Sequence, residues 1–353
     1  MNEFAWASAV GHIRVREKEI LSRADLMRLV EAVDLDRALL ALRDTYYGPY
    51  VAALDDQAKY GDALAAALSA AYQFVFGIVP EPMLIAAYRA RNDFHNLKVR
   101  AKSVQLGIPL DSEALSTMGN FEPDLDPAAV SSRDLDLPVI SLNLHEAQSL
   151  CDALGRTYSQ AIELIEETRE RAAEGVLSLR VDSLVDRGYY AWFSKVFKRY
   201  GYPGMTRFQR AEVDLLNLRM SLRALRMGLD PVVFGDVVLQ GGDIPSDRML
   251  SAYKDGLPGI HSVFKGTPWS GLAVSGAETA EKRESLTKWE RACDNAFMGV
   301  VRTARYYSIG PEPVFGYLFG KETEVRNLRV ILAGKQSGLP AQEIAERLRE
   351  PYV

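Results

Sequence analysis

At 353 residues with a formal net charge of −5, the chain is long enough for two or three domains and carries no basic excess of the kind nucleic-acid binding demands. Its 48% hydrophobic and 25% charged residues are the composition of a globular protein, which excludes a disordered or fibrous chain. Two cysteines, Cys151 and Cys293, are too few for a secreted disulfide framework and read as reduced core thiols.

The first residues, Met1-Asn2-Glu3-Phe4-Ala5-Trp6, lack the basic and apolar regions of a signal peptide, so no leader is expected. Ala7 to Leu42 carries the periodicity of two amphipathic helices, with Ser22 and Asp25 as start signals. From Ala63 to Pro80 no side chain is charged. A membrane span needs about 20 apolar residues, but Ser69, Gln73, the many alanines and the stop at Pro80-Glu81-Pro82 predict a buried core helix instead. Gln148 to Arg171 reads as a long helix whose exposed face holds Glu163, Glu167 and Arg171 at i,i+4 spacing. Leu184 to Tyr200 concentrates Tyr189, Tyr190, Trp192, Phe193, Phe197 and Tyr200, a core cluster or else a partner surface. Val232 to Leu239 has the composition of a short strand, and Gly256 to Gly276 that of a loop.

Three segments align with one another without gaps. They are Asp93-Phe94-His95-Asn96-Leu97-Lys98, Asp214-Leu215-Leu216-Asn217-Leu218-Arg219 and Glu324-Val325-Arg326-Asn327-Leu328-Arg329. Each sets an acid three residues before an Asn, a Leu after it and then a base. Gly107, Gly228 and Gly338 follow at equal distance, each trailed by Ile or Leu. Pro80-Glu81-Pro82 and Pro311-Glu312-Pro313 precede the outer copies, and Gly201-Tyr202-Pro203 the middle one. At about 100° per residue, Phe94, Leu97, Ala101 and Val104 fall in one stripe. So do Leu215, Leu218, Leu222 and Leu225, and then Val325, Leu328 and Leu332, with Lys335 fraying the third stripe. The glycine is the left-handed residue that ends such a helix. An Asn beside an apolar stripe has to be hydrogen-bonded, to backbone or to the neighbouring acid, and thereby fixes how the helix docks. Ligand binding by the Asn and the acid is the other reading. The copies divide the chain into helical modules 1–115, 116–235 and 236–353, joined where Pro, Gly, Ser and Asp cluster.

Reactive motifs are missing. Gly316 to Glu322 is one residue short of a P-loop and has Glu322 where a magnesium-binding hydroxyl belongs. None of His12, His95, His145 and His261 has the Glu-x-x-His spacing of a bundle di-metal site, and the cysteines lack zinc spacing. No catalytic residue, cofactor or metal ligand is expected.

Arg91-Asn92-Asp93-Phe94-His95-Asn96-Leu97-Lys98 resembles a signature of the V/A-type rotary ATPase central-stalk C subunits, the archaeal and bacterial relatives of the eukaryotic V-ATPase d subunit. Glu212 to Arg219 is similar to the second signature of that family and Glu322 to Gly338 to its third. Thr45-Tyr46-Tyr47-Gly48 and Gly266-Thr267-Pro268-Trp269-Ser270-Gly271 are similar to turns of the same family. The resemblance implies an all-α fold, with three pseudo-symmetric modules arranged as a funnel around a central hollow. It also implies a non-catalytic rotor subunit, peripheral on the cytoplasmic face of the membrane, joining a shaft of D and F subunits to the proteolipid (c/K) ring. The polar residues Asp93, Asn96, Lys98, Asp214, Asn217, Arg219, Glu324, Asn327 and Arg329 then either line the shaft socket or pin the modules internally. A generic helical-repeat scaffold, and a helical enzyme with an unrecognised site, are the alternatives.

Overall fold

The computed structural model describes residues 3–127, 144–169 and 173–353, and its regular elements are helices, with no strand among the described residues. The chain divides into two compact units, Met1–Pro80 with Arg291–Val353, and Glu81–Glu290.

The first unit opens with α1 (Glu3–Arg16), α2 (Arg23–Glu31), α3 (Leu35–Leu42), α4 (Gly48–Ala52) and α5 (Tyr60–Ile78). Ala7 to Leu42 therefore spans three helices instead of the two expected. The extra break falls at the second of two caps. Ser22 and Asp25 form a reciprocal capping box at the start of α2, and the Asp34 side chain accepts from the Arg37 amide to start α3.

In the second unit lie α6 (Pro82–Leu106), α7 (Leu144–Thr168), α8 (Glu174–Tyr200), α9 (Pro203–Met227), α10 (Pro231–Val237), α11 (Ser246–Lys254), α12 (Gly256–Phe264) and α13 (Ser270–Glu281). The expected strand at Val232 to Leu239 is α10. Pro231 at the first turn and Asp230, whose carboxylate accepts from the Val232 amide, outweigh the β-propensity of the paired valines. The expected loop from Gly256 to Gly276 is mostly α12 and α13. Only the turn between them stays irregular, with Gly266 at φ +82°. On α8, Tyr189, Tyr190, Trp192, Phe193 and Phe197 are buried. The rings of Phe193 and Phe197 lie 4.3 Å apart, tilted by 48°, and Tyr189 lies 5.7 Å from Phe94 of α6. The cluster is core. Glu163 and Glu167 of α7 are exposed, while Arg171 and His145 lie outside the residues whose side chains are described.

Helix α14 (Thr287–Val301) spans the division, and α15 (Glu312–Gln336) and α16 (Ala341–Arg347) complete the first unit. Helix α5, whose residues from Ala63 on are uncharged, is the one described helix long and apolar enough to cross a membrane by length and composition. Its residues Ala63, Leu64, Ala67, Leu68, Ala71, Tyr72 and Val75 are buried, and it packs on α15. The pair is antiparallel, because Tyr72 Oη donates to Glu322 and Tyr60 Oη meets Gln336 Oε1 at 3.2 Å.

The three helices bearing the repeated motif, α6, α9 and α15, each have 25 residues and carry Pro in the first turn. Gly107, Gly228 and Gly338 follow them at φ +66°, +65° and +68°. Equal length thus comes from equal start and stop signals, even where Gly-Tyr-Pro replaces Pro-Glu-Pro.

Candidate functional site: three acid–asparagine clamps

The repeated asparagines do one job in all three copies. Asn96 Nδ2 donates to the Ser116 carbonyl at 2.9 Å, and the Ser116 amide donates to Asn96 Oδ1 at 2.7 Å. Asn217 pairs in this way with Leu239 at 2.9 and 2.8 Å, and Asn327 with Arg349 at 2.9 Å both ways. The partner lies 20, 22 and 22 residues downstream. A carboxamide has a donor and an acceptor on one plane, so it can satisfy both polar groups of a single backbone residue. Asp lacks the donor and Leu lacks both, which is why this position needs Asn.

One helical turn earlier, the acid collects amide donors. Asp93 Oδ1 accepts from the Asn120 and Phe121 amides at 2.7 and 3.2 Å, and Oδ2 from Asn120 Nδ2 at 2.7 Å. Asp214 accepts from the Asp243 and Ile244 amides at 3.2 and 3.1 Å and from the Trp269 side chain. The backbone comes so close that a Cβ on Gly119 or Gly242 would sit 2.1 Å from the carboxylate oxygen of Asp93 or Asp214. Glycine is required at both places.

Glu324 departs from this pattern. Its Oε1 accepts from the Leu21 amide at 2.6 Å, across 303 residues of sequence, and its Oε2 from Tyr47 Oη at 2.9 Å. A third donor is Lys321 Nζ at 2.6 Å, a side chain with 0% exposure. Its ammonium rests 3.9 Å from the Tyr46 ring centre and 4.6 Å from that of Tyr47, a cation–π arrangement. The same position holds buried Ala90 in α6 and Ala211 in α9. Asp93 and Asp214 each have two backbone donors where Glu324 has one, and Lys321 makes up the difference.

The aromatic donors Tyr47 and Trp269 sit in matching turns. Thr45 and Thr267 each donate to a carbonyl three residues back, Leu42 or Phe264, at 2.7 Å. Each hydroxyl then accepts from the amide two residues on, that of Tyr47 or Trp269, at 3.2 Å. Sequence comparison picked out both turns but not what their aromatic rings reach. It also missed Lys321, which lies inside the rejected P-loop pattern. Gly316 and Gly320 of that pattern are helical and leave room for Tyr352, whose atoms would meet an added Cβ at 2.7 and 2.8 Å.

Burial pushes the Asp93 carboxyl up to about 7, held back by its bonds from Asn120 and Phe121. The Asp214 carboxyl rises to about 6 for the same reason. Desolvation lowers the Lys321 ammonium while Glu324 opposes it. These shifts accompany groups wholly engaged with their own chain. Among the described residues no cluster of three His, Cys, Asp or Glu side chains is placed to hold a metal.

The bases behave differently from copy to copy. Lys98 Nζ pairs with Asp186 of α8 at 2.6 Å, and Lys102 with Asp182 at 2.7 Å. Arg219 donates to the Glu290 carbonyl at 3.3 Å, and Arg223 pairs with the Glu290 carboxylate at 2.6 Å. Arg329 is exposed. The apolar stripes are buried through Ala101, Leu222 and Leu332, after which Val104 is 42% exposed and Leu225 half-buried.

Residues 9–347 match the family model described as ATP synthase (C/AC39) subunit. The chain is 24% identical over 346 residues to the V-type sodium ATPase C subunit of Enterococcus hirae, covering 96% of this chain and 97% of that one. It is 25% identical over 360 residues to the V-type ATP synthase C subunit of Thermus thermophilus, covering 98% of each. With the A-type ATP synthase C subunit of Methanocaldococcus jannaschii it shares 24% over 362 residues, 98% of this chain and 86% of the other.

Proposed function

The chain belongs to the ATP synthase (C/AC39) subunit family, and from that premise we propose that it joins the D–F rotor shaft to the membrane proteolipid ring. Members of this family are non-catalytic stalk subunits of the rotary ATPase, so the chain works within that complex and among its other subunits. In the proposed role it passes torque between shaft and ring while bond-making occurs elsewhere. Its three modules surround a central hollow, and it sits peripherally on the cytoplasmic face of the membrane. Helix α5 is a core element in this reading, its buried face spent on α15.

The observation that supports a mechanical role is the threefold recurrence of one buried clamp on three helices of equal length. A coupling piece has to resist shear between its helices. Paired hydrogen bonds from a buried carboxamide hold both the axial position and the rotation of a helix, which apolar packing alone holds less sharply. Asp93, Asn96, Asp214, Asn217, Glu324 and Asn327 act as internal pins, and the shaft and ring are met by other surfaces.

The test is co-purification. Folded protein mixed with the D–F pair in moderate salt forms a stoichiometric complex and hydrolyses no ATP alone. A folded protein that fails to bind D–F under these conditions sinks the proposal.

A further inference from the structure

The ends of three helices of the second unit, α9, α12 and α13, meet around a cavity of about 530 Å³ that opens to solvent. Leu225 and Arg226 line it from the last turn of α9, Gly256 and Leu257 from the first turn of α12, and Ala280 and Arg283 from the end of α13 and just beyond it. The charged residues of this lining are the two arginines, and no carboxylate lines it. Arg226 Nη1 donates to the Glu284 carbonyl at 2.9 Å. Arg283 makes no hydrogen bond or ion pair through its side chain with any described residue.

Arg283 stands where glycine is usual. The Glu284 amide donates to the Thr279 carbonyl and the Arg283 amide to the Ala280 carbonyl, both at 3.1 Å, closing α13 with a turn that needs a left-handed residue. Arg283, at φ +54°, is the one described residue other than glycine with a positive φ, so a side chain is kept where its absence would relieve the backbone. Arg226 is also a departure from the other copies. It stands as far beyond Asn217 as Gln105 stands beyond Asn96 and Gln336 beyond Asn327. Gln105 reaches Ser178 Oγ at 3.0 Å and Gln336 meets Tyr60 Oη at 3.2 Å. The middle copy replaces that engaged amide by a cation beside an open cavity.

We propose that this cavity binds the phosphate group of a small molecule, held between Arg226 and Arg283. Charge decides for phosphate over carboxylate: a phosphate monoester carries about −1.5 to −2 at pH 7, which matches two guanidinium groups, and a carboxylate matches one. Guanidinium forks take phosphate oxygens through paired hydrogen bonds. The helix ends do not cancel this field. Each contributes about half a charge, so two C-terminal ends and one N-terminal end leave about −0.5 against two full positive charges. The N-terminal end is that of α12, whose amides have no side-chain cap. Leu225, Leu257 and Ala280 offer an apolar wall to the organic part of the ligand. The site belongs to the chain alone and does not depend on the rotor role.

Binding to the full chain tests this with inorganic phosphate, glycerol 3-phosphate and vesicles containing phosphatidic acid. Glycerol 3-phosphate should bind more tightly than inorganic phosphate, because the ester reaches the apolar wall. Equal binding of the two assigns the site to free phosphate, and preferential retention on the vesicles assigns it to a lipid headgroup. Arg283→Gly relieves the left-handed backbone, so its melting temperature should stay level or rise, while binding of the preferred probe falls by about tenfold or more. Arg226→Gln, which restores the residue of the other copies, should weaken binding likewise. The proposal is overturned if no probe binds at millimolar concentration, if Arg283→Gly binds as wild type does, or if acetate binds as tightly as phosphate. The two arginines then serve only the ends of their helices.

Discussion

Asn217 shows most plainly how much one side chain holds. Its amide satisfies both backbone groups of buried Leu239. Asn217→Leu keeps the branched outline but leaves an N–H and a C=O buried without partners, each costing about 1–3 kcal/mol. The expected loss is about 2–5 kcal/mol by urea unfolding, and assembly should suffer only through lost stability. Wild-type stability in this variant would show that the clamp is not holding the helix. Asp93 gives a prediction of the opposite kind, in pH. Its folded value of about 7 lies above the ordinary aspartate value of 3.8, so the folded state binds its proton more tightly. The contribution to stability is complete below about 4 and is lost as pH rises through 7, on the order of 4 kcal/mol at the upper end. Asp214, at about 6, acts in the same direction. Asp93→Asn should therefore flatten the fall in melting temperature between pH 4 and 7. An unchanged slope would mean that Asp93 stays ionised in the fold.

The three long helices were legible in the sequence because their signals are local. Proline opens each, a left-handed glycine follows each end, and the stripe at positions such as Leu215, Leu218 and Leu222 reports the buried face. Asn was legible as a packing residue for the same reason, since a polar group on an apolar face must find a partner. What stayed hidden depends on contacts distant in sequence. Nothing near Glu324 says that its amide donor is Leu21, or that Lys321 will be buried between two tyrosine rings. The error at Val232 has another source: β-branched composition favoured a strand, and the Asp230-Pro231 start signal decided for helix. Helix α15 also yields a test of its extra charge. Lys321→Ala leaves the Glu324 carboxylate buried beside fewer donors and should cost about 3–5 kcal/mol. Lys321→Ala combined with Glu324→Gln should recover most of that loss, because the neutral amide oxygen still accepts from the Leu21 amide while its NH2 donates to the Tyr47 hydroxyl oxygen. A double variant as unstable as the single one would show that Lys321 contributes packing, not charge.

At the scale of the whole chain, the first unit is sewn from segments at opposite ends of the sequence. The bonds from Leu21 and Tyr47 to Glu324 span 303 and 277 residues, and Tyr352 Oη reaches buried Glu17 at 2.9 Å across 335. In the second unit the clamp bonds of Asp93 and Asp214 span 27 to 30 residues. Local closure is entropically cheaper than distant closure, so the two units should differ in how they open. Hydrogen exchange can read this directly. The Leu21 amide, in an irregular segment before α2, should exchange as slowly as the amides of α15, because its acceptor is buried. Glu324→Ala removes that acceptor and strands Lys321 as a buried cation. Exchange should then quicken at Leu21 and across α2, α4 and α15, while the amides of α6, α8 and α9 keep their wild-type rates. Equal acceleration in both units would mean that they open together and that the division is not a division of stability. Fast exchange at Leu21 in the wild type would mean that the long-range clamp does not close in solution.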